Sequence, residues 1–319
     1  TRPRADRRGR AGTRMRPSHQ GGRRSPGPTV SGVALSHPER VYWPASGDAG
    51  PVTKQDLARY LERVAPRLLP AIAGRPLTLL RAPEGIGGER FVQRHAARGL
   101  SPLVGMVRPR GEEKPLIQVD SAGALVALAQ SGVLEIHPWG ARSARLAQPD
   151  RMVLDLDPAE GLPFGAVVAA ALALRERVLA LGLVPFCKTT GGKGLHLVVP
   201  LAAGTRWDRL HAVSAAICEG LAQEAPERFT TQSALAGREG RIFLDFQRNA
   251  RGASAVAPWS PRARPGAPVA MPLDWAEVAE GLDPRRFTIA TAPVRLEAPD
   301  PWDGMEAAAR PLPPLSRLR

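Results

Sequence analysis

Three short stretches of this sequence carry residues whose types and spacing suit chemistry on phosphates. The first is Arg151-Met-Val-Leu-Asp155-Leu-Asp157-Pro158. In a strand, side chains alternate between faces, so Asp155 and Asp157 point to one side, about 6.5–7 Å apart along the chain. Met152, Leu154 and Leu156 point to the other side, into a core. Two carboxylates so placed can bracket a pair of divalent ions about 3.5–4 Å apart. Oxygen ligands favour Mg²⁺ or Mn²⁺ over zinc. Solvated acids leading into an Asp-Pro turn suit the same residues. The second stretch is Lys188-Thr-Thr190-Gly191-Gly192-Lys193-Gly194-Leu-His196. Its glycines let backbone N–H groups approach a phosphate, and Thr190, Lys193 and His196 add donors. It is not a Walker loop, because Gly194 and not Ser or Thr follows the lysine. A plain hairpin turn with an exposed lysine is the competing reading. The third is Arg241-Ile-Phe-Leu-Asp245-Phe-Gln-Arg248-Asn-Ala-Arg251. Ile242, Leu244 and Phe246 face the core there, which leaves Asp245 on the open face. It is either a third metal carboxylate beside phosphate-binding guanidiniums or a structural Asp–Arg pair. His137, in Glu135-Ile-His137-Pro-Trp139-Gly140, reads on its own as a packing residue.

Strands and helices must hold these groups. Thr53 with Asp56 forms a capping box, and Leu57, Tyr60, Leu61, Val64 and Leu68 follow at helical spacing. Leu77–Leu80, Leu116–Val119 and Val133–Ile136 read as strands, with a helix from Ser121 to Gly132 between the last two. Further on come strands at Met152–Leu156, Val184–Thr190, Leu195–Leu201 and Arg241–Gln247. Helices at Phe164–Leu181 and Trp207–Ala222 separate them, and a short helix is expected at Trp275–Ala279. The mixture predicts an α+β fold with a mostly antiparallel sheet flanked by helices. The expected organisation is a disordered basic arm over 1–28, one domain over 29–305 and a tail over 306–319. A smaller N-terminal lobe would end near residue 140, with the catalytic half at 141–305.

The formal net charge is +14, and residues 1–28 carry +8 of it as nine Arg and one Asp. Such a balance suits a polyanionic partner, nucleic acid first among them. The two cysteines, Cys187 and Cys218, form no C-x-x-C pair, which argues against structural zinc and a disulfide framework. No apolar run nears the roughly 20 residues needed to span a membrane. The expectation is a soluble, cytoplasmic protein associated with the bacterial nucleoid.

Taken in order, His-Pro-Trp-Gly, Asp-x-Asp, Thr-Gly-Gly-Lys-Gly-x-His and Asp-x-x-Arg-Asn-x-Arg-Gly resemble the polymerase domain of bacterial ligase D. That domain belongs to the archaeo-eukaryotic primase superfamily. The resemblance runs from about Leu35 to Met305 and includes Ser36-His-Pro-Glu-Arg40-Val, Thr53-Lys54-x-Asp-Leu, Gly85-Ile-Gly-Gly, Gln93-Arg-His and Arg262-Ala-Arg264-Pro-Gly. It implies a primase-polymerase fold and template-directed addition of NTPs or dNTPs to primer 3′ ends at breaks and gaps, in end joining. It implies metal ligation by Asp155, Asp157 and Asp245. It places His137, Thr190, Gly191, Gly192, Lys193, His196, Arg248 and Arg264 around the incoming nucleotide. Arg40 and Lys54 would meet a DNA 5′-phosphate, and Phe91 would stack on DNA. Ku and a DNA ligase, fused or separate, are the implied partners.

Two departures stand out. The family usually has Ser where Thr190 stands, and often a second aromatic where Val92 follows Phe91. No Lys-x-Asp-Gly ligase motif occurs, so this chain is expected to carry no ligase activity and to be either a stand-alone polymerase or an excised piece of a larger protein. The rival readings are a de novo primase of the same superfamily and a non-catalytic DNA-end-binding module.

Overall fold

In the computed structural model, which describes residues 27–96 and 99–318, the chain opens with two hairpins. They are β1 Thr29–Val30 with β2 Val33–Ala34, and β3 Val41–Trp43 with β4 Val52–Thr53. The first 26 residues, and with them nearly all of the expected basic arm, lie outside the described residues. Helix α1, Lys54–Ile72, follows β4 directly. The Thr53 Oγ1 accepts from the Asp56 amide at 3.2 Å, and the Asp56 carboxylate accepts from the Thr53 amide at 2.9 Å. This is the reciprocal cap its sequence predicts. The helix outlasts the expected stripe and runs through Pro66 and Pro70 to Ile72, because Leu68 and Ile72 are still buried against the core.

A first sheet follows: β5 Leu77–Arg81, β6 Phe91–Gln93, β7 Gly105–Val107, β8 Leu116–Gln118 and, after helix α2 Ala122–Gln130, β9 Val133–Pro138. β5 is central, paired antiparallel with β6 and β9 and touching β8 at Leu77. Helix α2 ends before Gly132, whose φ of 73° turns the chain into β9.

The second sheet holds the acids. Its strands are β10 Arg151–Pro158, β11 Phe186–Thr189, β12 Leu195–Pro200, β13 Phe229–Thr230, β14 Ile242–Asp245 and β15 Pro272–Leu273. They lie in the order β13-β14-β10-β12-β11-β15, antiparallel throughout except for the parallel pair β13–β14. Helices α3 Phe164–Ala180 and α4 Trp207–Glu224 pack on β10, β12 and β14. The apolar rows Met152/Leu154/Leu156, Leu195/Leu197/Val199 and Ile242/Leu244 form the buried side. β14 stops at Asp245 and not at Gln247, because the Asp245 carboxylate accepts the Gln247 amide at 2.8 Å and turns the chain. The expected helix at Trp275–Ala279 is a single 3₁₀ turn, Trp275–Glu277, held by an Asp274–Glu277 capping box.

Both sheets share one apolar core. Tryptophan side chains tie distant loops to it. The indole N–H groups of Trp43, Trp207, Trp275 and Trp302 donate to the carbonyls of Arg262, Leu146, Pro185 and Cys187, each at 2.9 Å. Residues beyond 305 are also packed: the Ala202 amide donates to Arg310 O at 3.0 Å, and Arg209 donates to Pro313 O at 2.9 Å. No helix among the described residues is long and apolar enough to cross a membrane.

The capping box gives a measurable expectation. Thr53→Ala removes one half of it and should cost about 1 kcal/mol, whereas Thr53→Ser should cost little. Denaturant midpoints of the two variants against the wild type check this, and equal midpoints would mean the cap is redundant.

Candidate active site

The register of the second sheet aligns its polar residues. Lys188 on β11 pairs with His196 on β12, His196 with Asp155 on β10, and Asp155 with Asp245 on β14. Directly opposed residues in an antiparallel pair share a face. The four therefore form a row across the sheet, and Asp157 lies two residues further along β10 on the same side. The sequence alternation predicted the facing of Asp155, Asp157 and Asp245. It did not predict that Asp155 and Asp245 would be direct partners.

This face floors a cavity of about 190 Å³. His137, Asp155, Asp157, Thr190, Lys193, Gly194, His196, Arg248 and Arg264 line it, so residues of all three stretches meet there with His137; Asp245 is not among the lining residues and joins the site through its pairing with Asp155 and Arg248. Gly191 and Gly192 sit on its far side, in the adjoining cleft. Two glycines of the turn are sterically required. A Cβ on Gly194 would lie 2.3 Å from Leu156 O on β10, and one on Gly191, where φ is 66°, would lie 2.6 Å from the Arg262 side chain. The Thr190 hydroxyl closes the turn itself, donating to Gly194 O at 3.1 Å and accepting the Gly194 amide at 3.3 Å.

Every acid is met by a cation. The His196 Nε2 lies 3.3 Å from Asp155, and Arg248 lies 3.6 Å from Asp155 and 3.4 Å from Asp245. Asp157 accepts from Arg238 at 2.9 Å and faces Lys193 Nζ at 3.3 Å. Burial raises the Asp155 carboxyl, but His196, Arg248 and Lys188 outweigh it and hold it below the usual carboxylate range. Burial keeps Asp245 above that range against the pull of Arg248, and the Asp155 charge adds to the rise. Among the described residues no three His, Cys, Asp or Glu are gathered into a ready-made metal cage. The donor chemistry, three carboxylates on one sheet face, nevertheless fits a hard divalent cation.

Several contributors escaped sequence reading. Glu135 accepts from Ala263 N at 2.9 Å, lies 2.8 Å from His137 Nε2 and pairs with Arg262 at 3.0 Å. Burial opposes its ionisation, yet these partners pull it down to about 2. His137 is thus an oriented ring and not mere packing. Lys188 is 1% exposed, and burial, reinforced by Arg262, pulls its ammonium down to about 7. Arg238, seven residues before Asp245, was also missed.

Arg40, Lys54 and Phe91 lie outside the cavity. Arg40 and Lys54 are neighbours, the Lys54 amide donating to Arg40 O at 2.8 Å. Lys54 is only 5% exposed, and its ammonium donates to Ser36 O at 2.7 Å. A protein carbonyl therefore gives this cation a partner at the helix start, where the sequence suggested a bound anion. Arg40 reaches the Pro83 carbonyl and Glu84. Phe91 is 38% exposed and backed by the Arg81 guanidinium at 5.1 Å, and Val92 beside it is 64% exposed.

A primase-polymerase site on a mostly antiparallel sheet is the class these features define. Residues 53–302 match the family described as LigD, primase-polymerase domain, and the chain belongs to that family. It is 41% identical over 278 residues to the multifunctional non-homologous end joining protein LigD of Pseudomonas aeruginosa, covering 86% of this chain and 33% of that protein. The bifunctional LigD of Bacillus subtilis is 30% identical over 247 residues, covering 77% and 40%. The chain thus spans about a third of the length of the curated relatives it matches. The polymerase domain of Mycobacterium tuberculosis ligase D, solved in complex with DNA, superposes with a TM-score of 0.78 at 29% identity, covering 87% of this chain and 99% of that one.

The buried imidazole sets a pH dependence. Burial, with the Lys188 charge beside it, pulls His196 down to about 4 from the ordinary 6.5. The unfolded chain therefore binds more protons between those values. Stability should fall as pH drops through about 6.5 to 4, by up to about 3 kcal/mol from this group. Urea midpoints at pH 7 and 5 should differ less in His196→Gln than in the wild type. An unchanged difference would mean that the ring is protonated in the fold.

Proposed function

We propose that this domain adds nucleotides to a primer 3′ end paired to a template, at DNA gaps and broken ends. The observation that carries this reading is that Asp155 and Asp157 line one cavity with Lys193, Arg248 and Arg264, and that Asp245 is paired directly with Asp155. Asp155, Asp157 and Asp245 would hold two Mg²⁺ or Mn²⁺ ions. When bound, such ions lower the pKa of an attacking hydroxyl and neutralise phosphate oxygens. Lys193, Arg248 and Arg264, with the N–H groups of the glycine turn, would hold the triphosphate and offset the charge that builds on it. Arg264 makes no ion pair among the described residues, so its guanidinium is available for this role. Lys193 and Arg248 neutralise the acids in this structure. On loading they would exchange those carboxylates for phosphates, which conserves the charge balance of the site. His137, fixed by Glu135, would contact the nucleotide at the cavity wall. No protein nucleophile is needed.

The DNA partner would be a primer-template, gapped or 5′-phosphorylated end. The relatives' names support a place in end joining; the partners proposed there are Ku and a DNA ligase, fused or separate. Extension of a primed 5′-overhang with Mn²⁺ and labelled NTPs tests the activity, and product formed without any primer would favour a de novo primase.

Asp155→Ala and Asp245→Ala should each abolish extension, while DNA binding survives on phosphate contacts elsewhere. Near wild-type extension by either variant would refute the metal assignment.

Arg40 and Lys54 would read a downstream 5′-phosphate, whose extra charge favours a paired guanidinium and ammonium. The double variant Arg40→Ala/Lys54→Ala should lose the preference for phosphorylated over dephosphorylated gaps and keep simple primer extension. The same preference in variant and wild type would show that the two residues do not read the end.

A further inference from the structure

The face of β10 that carries the acids continues back to its first residue. Arg151, Val153, Asp155 and Asp157 alternate onto one side, so Arg151 stands about 13 Å from Asp155, four residues at roughly 3.3 Å each. Around Arg151 opens a pocket of about 530 Å³ that shares no residue with the catalytic cavity. Its polar wall is built from guanidiniums.

Three of them converge on one carboxylate. Arg75, 2% exposed, binds Asp150 through two parallel hydrogen bonds of 2.6 Å. That bidentate pair takes both carboxylate oxygens. Arg142 Nε is left at 3.4 Å and Arg151 Nε at 3.9 Å from the same group. Arg151 is mostly covered, and its guanidinium donates to Ala71 O at 3.2 Å. Arg142 also meets Glu306, which lies exposed at the rim, at 2.7 Å. Arg145, also on the rim, has no ion pair among the described residues. Four guanidiniums thus face two carboxylates, a local excess of two positive charges. A covered charge without its own anion is costly unless something supplies one. Burial and the neighbouring Arg75 accordingly depress Arg151 to about 9. Apart from Gln148, the rest of the wall is apolar, with Pro200, Leu201 and Met305. The volume exceeds that of a bare phosphate and suits a nucleotide-sized ligand.

We propose that this pocket is a second nucleotide site, which takes the phosphate of a nucleoside monophosphate unit, free or at the end of a strand, on Arg142, Arg145 and Arg151, with its base against Leu201 and Met305. Planar guanidiniums with unfilled donors match phosphate oxygens in pairs. The site does not rest on the catalytic reading, because binding here needs neither the acids nor turnover.

Photolabelling of the full chain in EDTA tests it. The probes are 8-azido-AMP and a 5′-phosphorylated hexanucleotide with 8-azidoadenosine at its first position. The label should fall in the tryptic peptide Leu296–Arg317, which trypsin leaves intact at Arg310 because Pro311 follows it, and AMP should compete where adenosine does not. Labelling by free 8-azido-AMP assigns the pocket to mononucleotides, and labelling by the hexanucleotide alone assigns it to strand ends. Arg142→Gln/Arg145→Gln should raise the half-saturating concentration at least about tenfold, as expected for lost charge-assisted hydrogen bonds. Ala203→Trp, which adds bulk at the exposed rim without changing charge, should do the same. Primer extension should be unchanged in both variants. No label in this peptide with either probe, competition by adenosine equal to that by AMP, or undiminished labelling in both variants would overturn the proposal.

Discussion

The structure depends on one constraint, the antiparallel register that seats β10 between β12 and β14. Pairing Asp155 with both His196 and Asp245 puts two carboxylates opposite each other, where like charges repel. The arrangement survives because Arg248 reaches both acids and the His196 ring lies 3.3 Å from one. The apolar row on the other side of the same strands holds the register. A slip of one residue would turn Met152, Leu154 and Leu156 to solvent and the acids into the core. Core packing and site geometry are thus two faces of a single strand alignment.

Much of this was legible in the sequence, because period-two alternation is a local signal. Asp155, Asp157 and Asp245 could be assigned to an open face from their neighbours alone. The Thr53–Asp56 cap was equally local and was found in place. The glycine turn was readable as a turn, and its glycines prove to be fixed by contacts to Leu156 and Arg262.

What was not legible is what the chain assembles from distant parts. Glu135 takes its partners from residues 262 and 263, more than 120 positions away, and no spacing rule links them. Lys188 sits next to an exposed-looking glycine turn, yet the sheet and its neighbours bury it completely. Lys54 shows the same limit. A cation in the first turn of a helix needs a partner, and nothing local in the sequence shows that the fold brings the Ser36 carbonyl to it. Local propensity states that a group needs a partner, and only the tertiary arrangement decides which.

The tryptophan tethers bear on how the molecule can be watched. Indole emission responds to the hydrogen bond and the polarity at the ring nitrogen, so four rings each held on a carbonyl of known position are built-in optical gauges. Trp302 sits on the carbonyl of Cys187, the residue just before Lys188. Trp43 sits on that of Arg262, whose side chain holds Glu135. Each reads the floor or the wall of the cavity without a foreign dye. Replacing the other tryptophans with phenylalanine would isolate one of these signals, and rearrangement of β11 could then be timed separately from movement of the 262–264 loop.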